Sequence, residues 1–467
     1  MKKVIYSSLL ISTLGLWSCG EKFLDQVPYD SVNSDIAIQN ENDMSNAVNG
    51  IYSGMRSSNL YGRTIPFVND VMADNVYIST ANSGRYLAQN TYGINSQDTY
   101  FTNLWASGYQ VILRANNVVN ANVTTTTNTD QYKGEALTTR AIMYFDLVRL
   151  FARPYTSDST GMGVPIVLAY DPMAKPGRNT VAQTYAQIVS DLTQGFSLMT
   201  VTNKNSSYVS KYVAQAMLAK VYLYKGQYEK AKAAALDVVS KGGYSLADSA
   251  SYVAYWNNPA PRTDKLETIF EISADNVNNA GSDALANMYS QAGYGDGLAA
   301  TDLYNLYSDR DVRKKLIIAG KRSGNDALIV NKYQNVSNNN DKDDFKIIRY
   351  ADVLLILAES YYRTGDETNA LKYLNMVAQK REPSLKAYTF TGAALLDAII
   401  TERRKELAFE GDRFDDLNRL GRDITRSTQY PSAAQNIPFT DYRRVAPIPQ
   451  DELNANAVIR SQQNPGY

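Results

Sequence analysis

Two segments of this chain repeat one spacing of small, aromatic and glycine residues, and that spacing leaves few ways to fold. Ala358, Tyr361, Gly365, Ala370, Leu374 and Val377 recur upstream, at a constant offset, as Ala219, Tyr222, Gly226, Ala231, Ala235 and Val238. The glycine ends a first helix, and the chain turns back into a second. The paired alanines let the two helices approach more closely than larger side chains would allow. One such hairpin cannot bury its apolar face alone, whereas stacked neighbours can. The expected architecture is mostly α, with stacked helix pairs supporting long irregular loops and a few short strands.

The offsets are those of a tetratricopeptide unit. Apolar residues at helical spacing extend the reading to helices over 41–57, 104–119, 135–151 and 181–199, beside the repeat units of 212–239 and 349–380. They group into helix pairs around 104–151, 185–239 and 349–380. Trp105 falls on the apolar face of its helix, which favours core packing over a sugar platform. Between the helices lie an irregular stretch over 60–100, an extended segment over 161–175 and a loop-rich region over 242–344, the last with a short strand at 266–273. Long loops inside a compact chain are often functional. Their aromatic residues Tyr77, Tyr86, Tyr92, Trp256, Tyr289 and Tyr294 are therefore the candidate ligand contacts. The run over 337–344 is rich in oxygen ligands but lacks EF-hand spacing, so it reads as a solvated turn and no metal or cofactor is expected.

Composition removes several function classes. Lysine plus arginine and aspartate plus glutamate both number 47, so no net charge draws the chain to nucleic acid. Histidine is absent, which excludes Ser-His-Asp and Cys-His catalysis and His-ligated zinc. Carboxylate-only chemistry survives that test. In 395–420 the apolar stripe carries Arg403, Arg404, Glu406, Glu410 and Arg413 on or near one side. Interleaved arginines and glutamates on a packed helix read as structural ion pairs rather than an acid/base pair, and no catalytic residue is assigned.

The N-terminus has Lys2 and Lys3 followed by an apolar run over 4–17, too short to span a membrane. It reads as a secretory signal over 1–18. The run closes on Leu16-Trp17-Ser18-Cys19, and Cys19 is the only cysteine, so no disulfide is possible. This ending resembles a bacterial lipobox, with cleavage before Cys19 and acyl chains added there. Each buried methylene contributes about 0.8 kcal/mol, so several chains on one residue anchor firmly. A polar tether over 19–33 would then lead into a single domain over 34–467.

The blocks RYADVLLILAES, ERRKELAFEGDRFDDLNRL, VAPIPQDELNAN and QNPGY occur in that order, with Arg140, Ala141 and Tyr144 in a helix of the form RAxxYFxLVR. Together they resemble the SusD/RagB family of outer-membrane nutrient-binding lipoproteins across essentially the whole chain; Ala457 departs from a common family proline. The resemblance implies a SusD-like fold, a surface-exposed lipid-anchored protein of the cell outer membrane, oligosaccharide binding, and delivery to a SusC-like TonB-dependent β-barrel contacted largely by the repeat helices. It also matches Asp74 to a recurrent family aspartate near the ligand face, although a turn aspartate is an equal reading. Three alternatives stay open: a RagB-like peptide binder, a lipid-anchored glycoside hydrolase and a pure protein-assembly module.

Overall fold

The computed structural model describes residues 38–200, 204–335 and 343–467. The signal, the Cys19 lipidation site, the tether and most of the 337–344 run lie outside the described residues. The longer helices are α1 (Glu41–Met55), α2 (Thr64–Met72), α3 (Thr99–Val119), α4 (Thr127–Phe151), α5 (Val181–Leu198), α6 (Lys211–Tyr224), α7 (Tyr228–Lys241), α8 (Tyr350–Arg363), α9 (Glu367–Arg381), α10 (Gly392–Glu406) and α11 (Arg413–Arg419). The strands are short: β1 (Val76–Ile78), β2 (Thr268–Ile272), β3 (Gly297–Ala299), β4 (Ile317–Arg322), β5 (Asn325–Val330), β6 (Phe345–Arg349), β7 (Ile424–Thr425) and β8 (Asn436–Ile437). Among the described residues they form four antiparallel two-stranded ribbons, β1 with β3, β2 with β6, β4 with β5 and β7 with β8. Among the described residues no helix is long and apolar enough to cross a membrane.

Caps set several helix starts. Thr126 and Thr180 each form a reciprocal capping box, with Thr129 and Gln183 respectively, and Asp98 accepts from the backbone N–H groups of Tyr100 and Phe101. These caps begin α3 and α4 earlier than apolar periodicity suggests, because their first turns are polar. Gly226 and Gly365 sit at φ +67° and +84° in the matching turns α6–α7 and α8–α9, the left-handed conformation that favours glycine.

Successive helices pack side by side from α3 to α7, and α7 then packs on α8 although more than a hundred residues separate them in sequence. The two hairpins read from the sequence are thus stacked directly. Ala231, Ala235, Ala358 and Ala370 are fully buried at the close approaches. Across the seam, the Lys232 ammonium donates to the Thr364 hydroxyl at 3.2 Å and Arg363 lies over Tyr228. Buried apolar residues from Met44 to Ile459 form one continuous cluster.

Two expectations change. The stretch 60–100 contains α2, all nine residues of which are buried. A helix covered on every side shows no amphipathic period and is invisible to a periodicity test. The segment 395–420 is two helices rather than one: α10 stops at Glu406, and the turn before α11 holds Phe409 at φ +69° and Gly411 at φ +81°. A Cβ on Gly411 would lie 2.6 Å from Pro66 Cα, so only glycine lets this turn seat against α2. The Gly411 N–H donates to Asp70 and its carbonyl accepts from Asn69.

Around that turn lies a buried ionic network. Glu406 accepts from Arg349, Arg381 and Arg313 at 2.9 Å each, and Glu410 from Arg349 and Lys332 at 2.7 Å. With Glu267, Glu402, Asp311 and Lys405, five carboxylates meet five cations in one connected set. Arg403 faces the other way, bonding Asp352 at 2.8 Å and Asp416 at 3.0 Å, with Asp416 also held by Arg419.

Arg403 is completely buried, so truncating it leaves carboxylates short of a counter-charge in a dry interior. We expect Arg403→Ala to lower unfolding free energy by about 3–5 kcal/mol in urea titrations, with ligand affinity of the folded protein unchanged. A variant that loses ligand at an unaltered melting temperature would contradict this assignment.

Candidate functional site

The segment that follows α2 begins with a pair of ionic clamps. Asp74 is buried and accepts both Nε and Nη2 of Arg413, at 2.8 and 2.9 Å, while Arg404 reaches the Asp74 backbone carbonyl at 2.7 Å and Asp302 at 2.8 Å. Burial alone would raise the Asp74 carboxyl, but the Arg413 and Arg404 guanidiniums outweigh it and hold it at about 2. Asp74 is therefore spent on structure, fixing the entry to β1 against α10 and α11. Arg403, Arg404, Glu406, Glu410 and Arg413 are likewise all engaged in ion pairs.

Beyond β1 the chain passes through a loop at 79–86 and the short helix Leu87–Thr91, which is flanked by Tyr86 at φ +55° and Tyr92 at φ +59°. A bulky residue in the left-handed region costs roughly 1–3 kcal/mol and persists only where its surroundings over-determine it. Here they do. The Tyr86 ring stacks on Tyr100 with centroids 3.9 Å apart, and its hydroxyl lies 2.9 Å from both Arg63 Nε and Thr64 Oγ1. Burial pushes that hydroxyl up to about 12. The Tyr92 hydroxyl donates to the Met72 carbonyl at the end of α2. Both tyrosines are pegs that hold the loop, with 1% and 2% of their surface exposed.

The residues just before Tyr86 face a second segment, 290–296, from the far side of the sequence. Arg85 lies 3.6 Å over the Tyr294 ring centroid and donates to its hydroxyl at 2.9 Å. Ser83 donates through N–H and hydroxyl to Asp296, which is fully buried. Arg322, at the end of β4, ties the two loops together. It donates to the carbonyls of Ala81 at 2.9 Å and Tyr294 at 2.7 Å, to Gln291 at 3.3 Å, and approaches Asp296 at 3.4 Å. The ribbon β1–β3 continues this arrangement, since Ser79 N–H donates to the Asp296 carbonyl. Next to Arg322, the β4–β5 hairpin turns at Ser323-Gly324, both at positive φ, the geometry favoured by two-residue hairpin loops.

Three segments therefore present one polar aromatic surface: half-buried Tyr294 and Arg85, with Arg322, Gln291 and exposed Ser83 around them. A ring with a guanidinium on one side, and guanidinium N–H groups beside it, is suited to stacking and hydrogen bonding a polar ring-shaped ligand. The carboxylate at this surface, Asp296, is occupied by Ser83 and Arg322 and is not poised for proton transfer.

Of the six aromatic candidates, only Tyr294 joins this surface directly. Tyr77 is half-buried in β1, edge-on to Tyr430 at 5.9 Å and hydrogen-bonded to Gln429. Tyr86 and Tyr92 are the pegs just described. Trp256 and Tyr289 are core: Trp256 lies under Lys332 at 4.0 Å, and Tyr289 stacks on Tyr333. Trp105 is also buried, edge-on to Phe151 with its N–H donated to Glu452. Sequence reading missed Arg85, Arg322 and Asp296, because the partners that place them lie more than two hundred residues away, or 26 to 31 residues away for the Arg322 contacts to 291–296, and leave no local signal. Among the described residues no cluster of three or more potential metal ligands is present.

Residues 22–223 match a family described as SusD-like, starch-binding and associating with the outer membrane, and residues 325–467 match the SusD family. A putative sugar-binding protein of Bacteroides vulgatus superposes with a TM-score of 0.85 at 30% identity, covering 92% of this chain and 99% of its own. A SusD superfamily protein of Bacteroides thetaiotaomicron gives 0.83 at 30% identity, over 92% and 100%. SusD-like protein P2 of Formosa agariphila is 25% identical over 100% of this chain and 99% of its own length.

The Asp74 clamp carries a pH signature. Its folded value of about 2 lies below the usual carboxylate value, so its stabilisation is complete above about pH 4 and is lost as pH falls toward 2. Denaturation of Asp74→Asn and the parent should differ by about 2 kcal/mol at pH 7, with the gap narrowing at pH 4 and closing further at pH 3. A gap independent of pH would remove the clamp from this role.

Proposed function

The chain belongs to the SusD family, and from that premise we propose that it captures oligosaccharides at the outer-membrane surface and passes them to a TonB-dependent β-barrel transporter. In this reading it is lipid-anchored through Cys19 and faces the extracellular side. The observation that carries the ligand side is the Tyr294–Arg85 stack, built from two loops that Arg322 holds together. A sugar ring would stack on Tyr294, and its hydroxyls would bond the Arg85 N–H groups that are not spent on Ser83 and Tyr294. The similarity to a protein described as sugar-binding, over nearly its whole length, supports the ligand class.

The cycle is capture and release with no covalent step. A glycosidase would require two carboxylates flanking the bond to be cut, whereas Asp296 at this surface is buried and bonded. The rigidity of the surface has a function too. Loops already fixed by the Tyr86 and Tyr92 pegs lose little further entropy when a ligand arrives, so more of the contact energy appears as affinity.

Calorimetry of residues 20–467 against a panel of oligosaccharides and peptides, with product analysis of the same samples, tests this reading. We expect saturable glycan binding without new reducing ends. Tyr294→Ala should weaken it about tenfold or more, near 1.4 kcal/mol, at an unchanged melting temperature. Binding confined to peptides, new reducing ends, or full affinity in Tyr294→Ala would each reject it.

A further inference from the structure

The first repeat hairpin carries a surface distinct from the loop face. On α6, Lys211, Gln215, Leu218 and Tyr222 share one face at helical spacing; on α7, Lys230, Ala233, Ala234, Asp237 and Lys241 do the same. The two faces, with Phe196 from α5, line an open groove of about 570 Å³. Its floor is small and apolar, its walls are Tyr212, Tyr222 and Phe196, and its ends are lysines. Because α6 and α7 run antiparallel, Lys211 and Lys241 stand at one end and Lys230 at the other. From 211 to 222 the groove extends about 16 Å at 1.5 Å per residue, which matches about five residues of extended chain.

Its charge is strongly one-sided. Residues 204–241 hold seven lysines and no arginine against Glu229 and Asp237, in a chain whose total charge is zero. One of the seven, Lys220, is buried on Asp352 and Asp412. Lys241 pairs with Asp237 at 2.6 Å. Among the described residues, Lys211 and Lys230 have no carboxylate partner and lie instead over rings, Lys211 4.8 Å from Phe196 and Lys230 5.6 Å from Tyr222. With Lys211 at one end, Lys230 at the other, and Leu218, Ala233 and Ala234 between them beside Gln215 and the Lys241-paired Asp237, the groove complements a peptide segment with acidic ends and apolar side chains between them.

We propose that this groove binds an acidic segment of a partner protein, about five residues of extended chain anchored by apolar side chains over Ala233, Ala234 and Leu218. This adds a partner chemistry to the uptake reading and rests on it only in supposing that the protein works in complex. A flat anionic membrane surface would engage the lysines but leave the aromatic walls and alanine floor unused, so the polypeptide is favoured.

The test is fluorescence anisotropy of a fluorescein-labelled heptapeptide with two glutamates at each end and leucine-alanine-leucine between, added to residues 20–467. Saturable binding is expected, weakened several-fold when salt rises from about 50 to 300 mM. The double variant Lys211→Glu/Lys230→Glu, and the milder alanine pair, should weaken it about tenfold or more and about threefold respectively, with melting temperature and glycan affinity unchanged. The glycan control separates failure of this proposal from failure of the glycan reading. Absence of saturable binding, affinity unaffected by charge reversal, or binding to phosphatidylglycerol vesicles or dextran sulfate without binding to the peptide would each overturn it.

Discussion

Glu406 has no access to solvent and is held by three arginines, Arg313, Arg349 and Arg381, that arrive from three separate stretches of the chain. Burial would raise its carboxyl, but those three charges hold it well below the usual range. Isolated in a dry interior, any one of these groups would be untenable. Assembled, they close into a set with equal numbers of cations and carboxylates. Arg381 ends the second repeat hairpin, Arg349 ends β6, and Arg313 belongs to the segment before the β4–β5 hairpin. The helical scaffold and the loop-rich region between 242 and 344 are therefore joined by one charge-balanced knot as well as by apolar packing.

The candidate face depends on that knot at one remove. The β4–β5 hairpin that supplies Arg322 follows Arg313 directly, and Arg322 in turn fixes the loops carrying Arg85 and Tyr294. On the opposite side, Arg404 and Arg413, from helices flanking the Gly411 turn, clamp Asp74 at the start of the strand that leads into the same loops. The long signature block around 402–420 thus works as a distributor of guanidiniums. Its residues do not belong to the candidate surface themselves, yet they set where that surface lies. In the SusD family such a division suits a protein whose scaffold is fixed while its loops carry specificity.

Much of the scaffold was legible because its contacts are local. The alanine and glycine spacing of the two hairpins announced close helix pairs, and the structure stacks those pairs directly on one another. Periodicity failed where burial is all-round, as in α2, and where polar first turns are held by caps, as in α3 and α4. It also joined α10 and α11 into one stripe, since an apolar pattern does not register a turn that depends on Gly411 meeting Pro66. The candidate face was less legible. Aromatic residues in irregular segments looked alike in sequence, yet Tyr86, Tyr92, Trp256 and Tyr289 are buried whereas Tyr77 and Tyr294 are half-exposed, and only Tyr294 joins the candidate surface.

What the sequence determined by itself is the stacked-repeat framework and the exclusion of histidine chemistry, from spacing and inventory, and the family, from the resemblance of its ordered motif blocks. Tertiary structure alone decided which tyrosine meets solvent, which arginine meets which carboxylate, and how a lysine-rich hairpin in a neutral chain becomes a groove. The physical reason is range. Helical spacing encodes contacts three and four residues apart, while Arg85 meets Tyr294, and Arg349 meets Glu406, only after distant segments have been packed together.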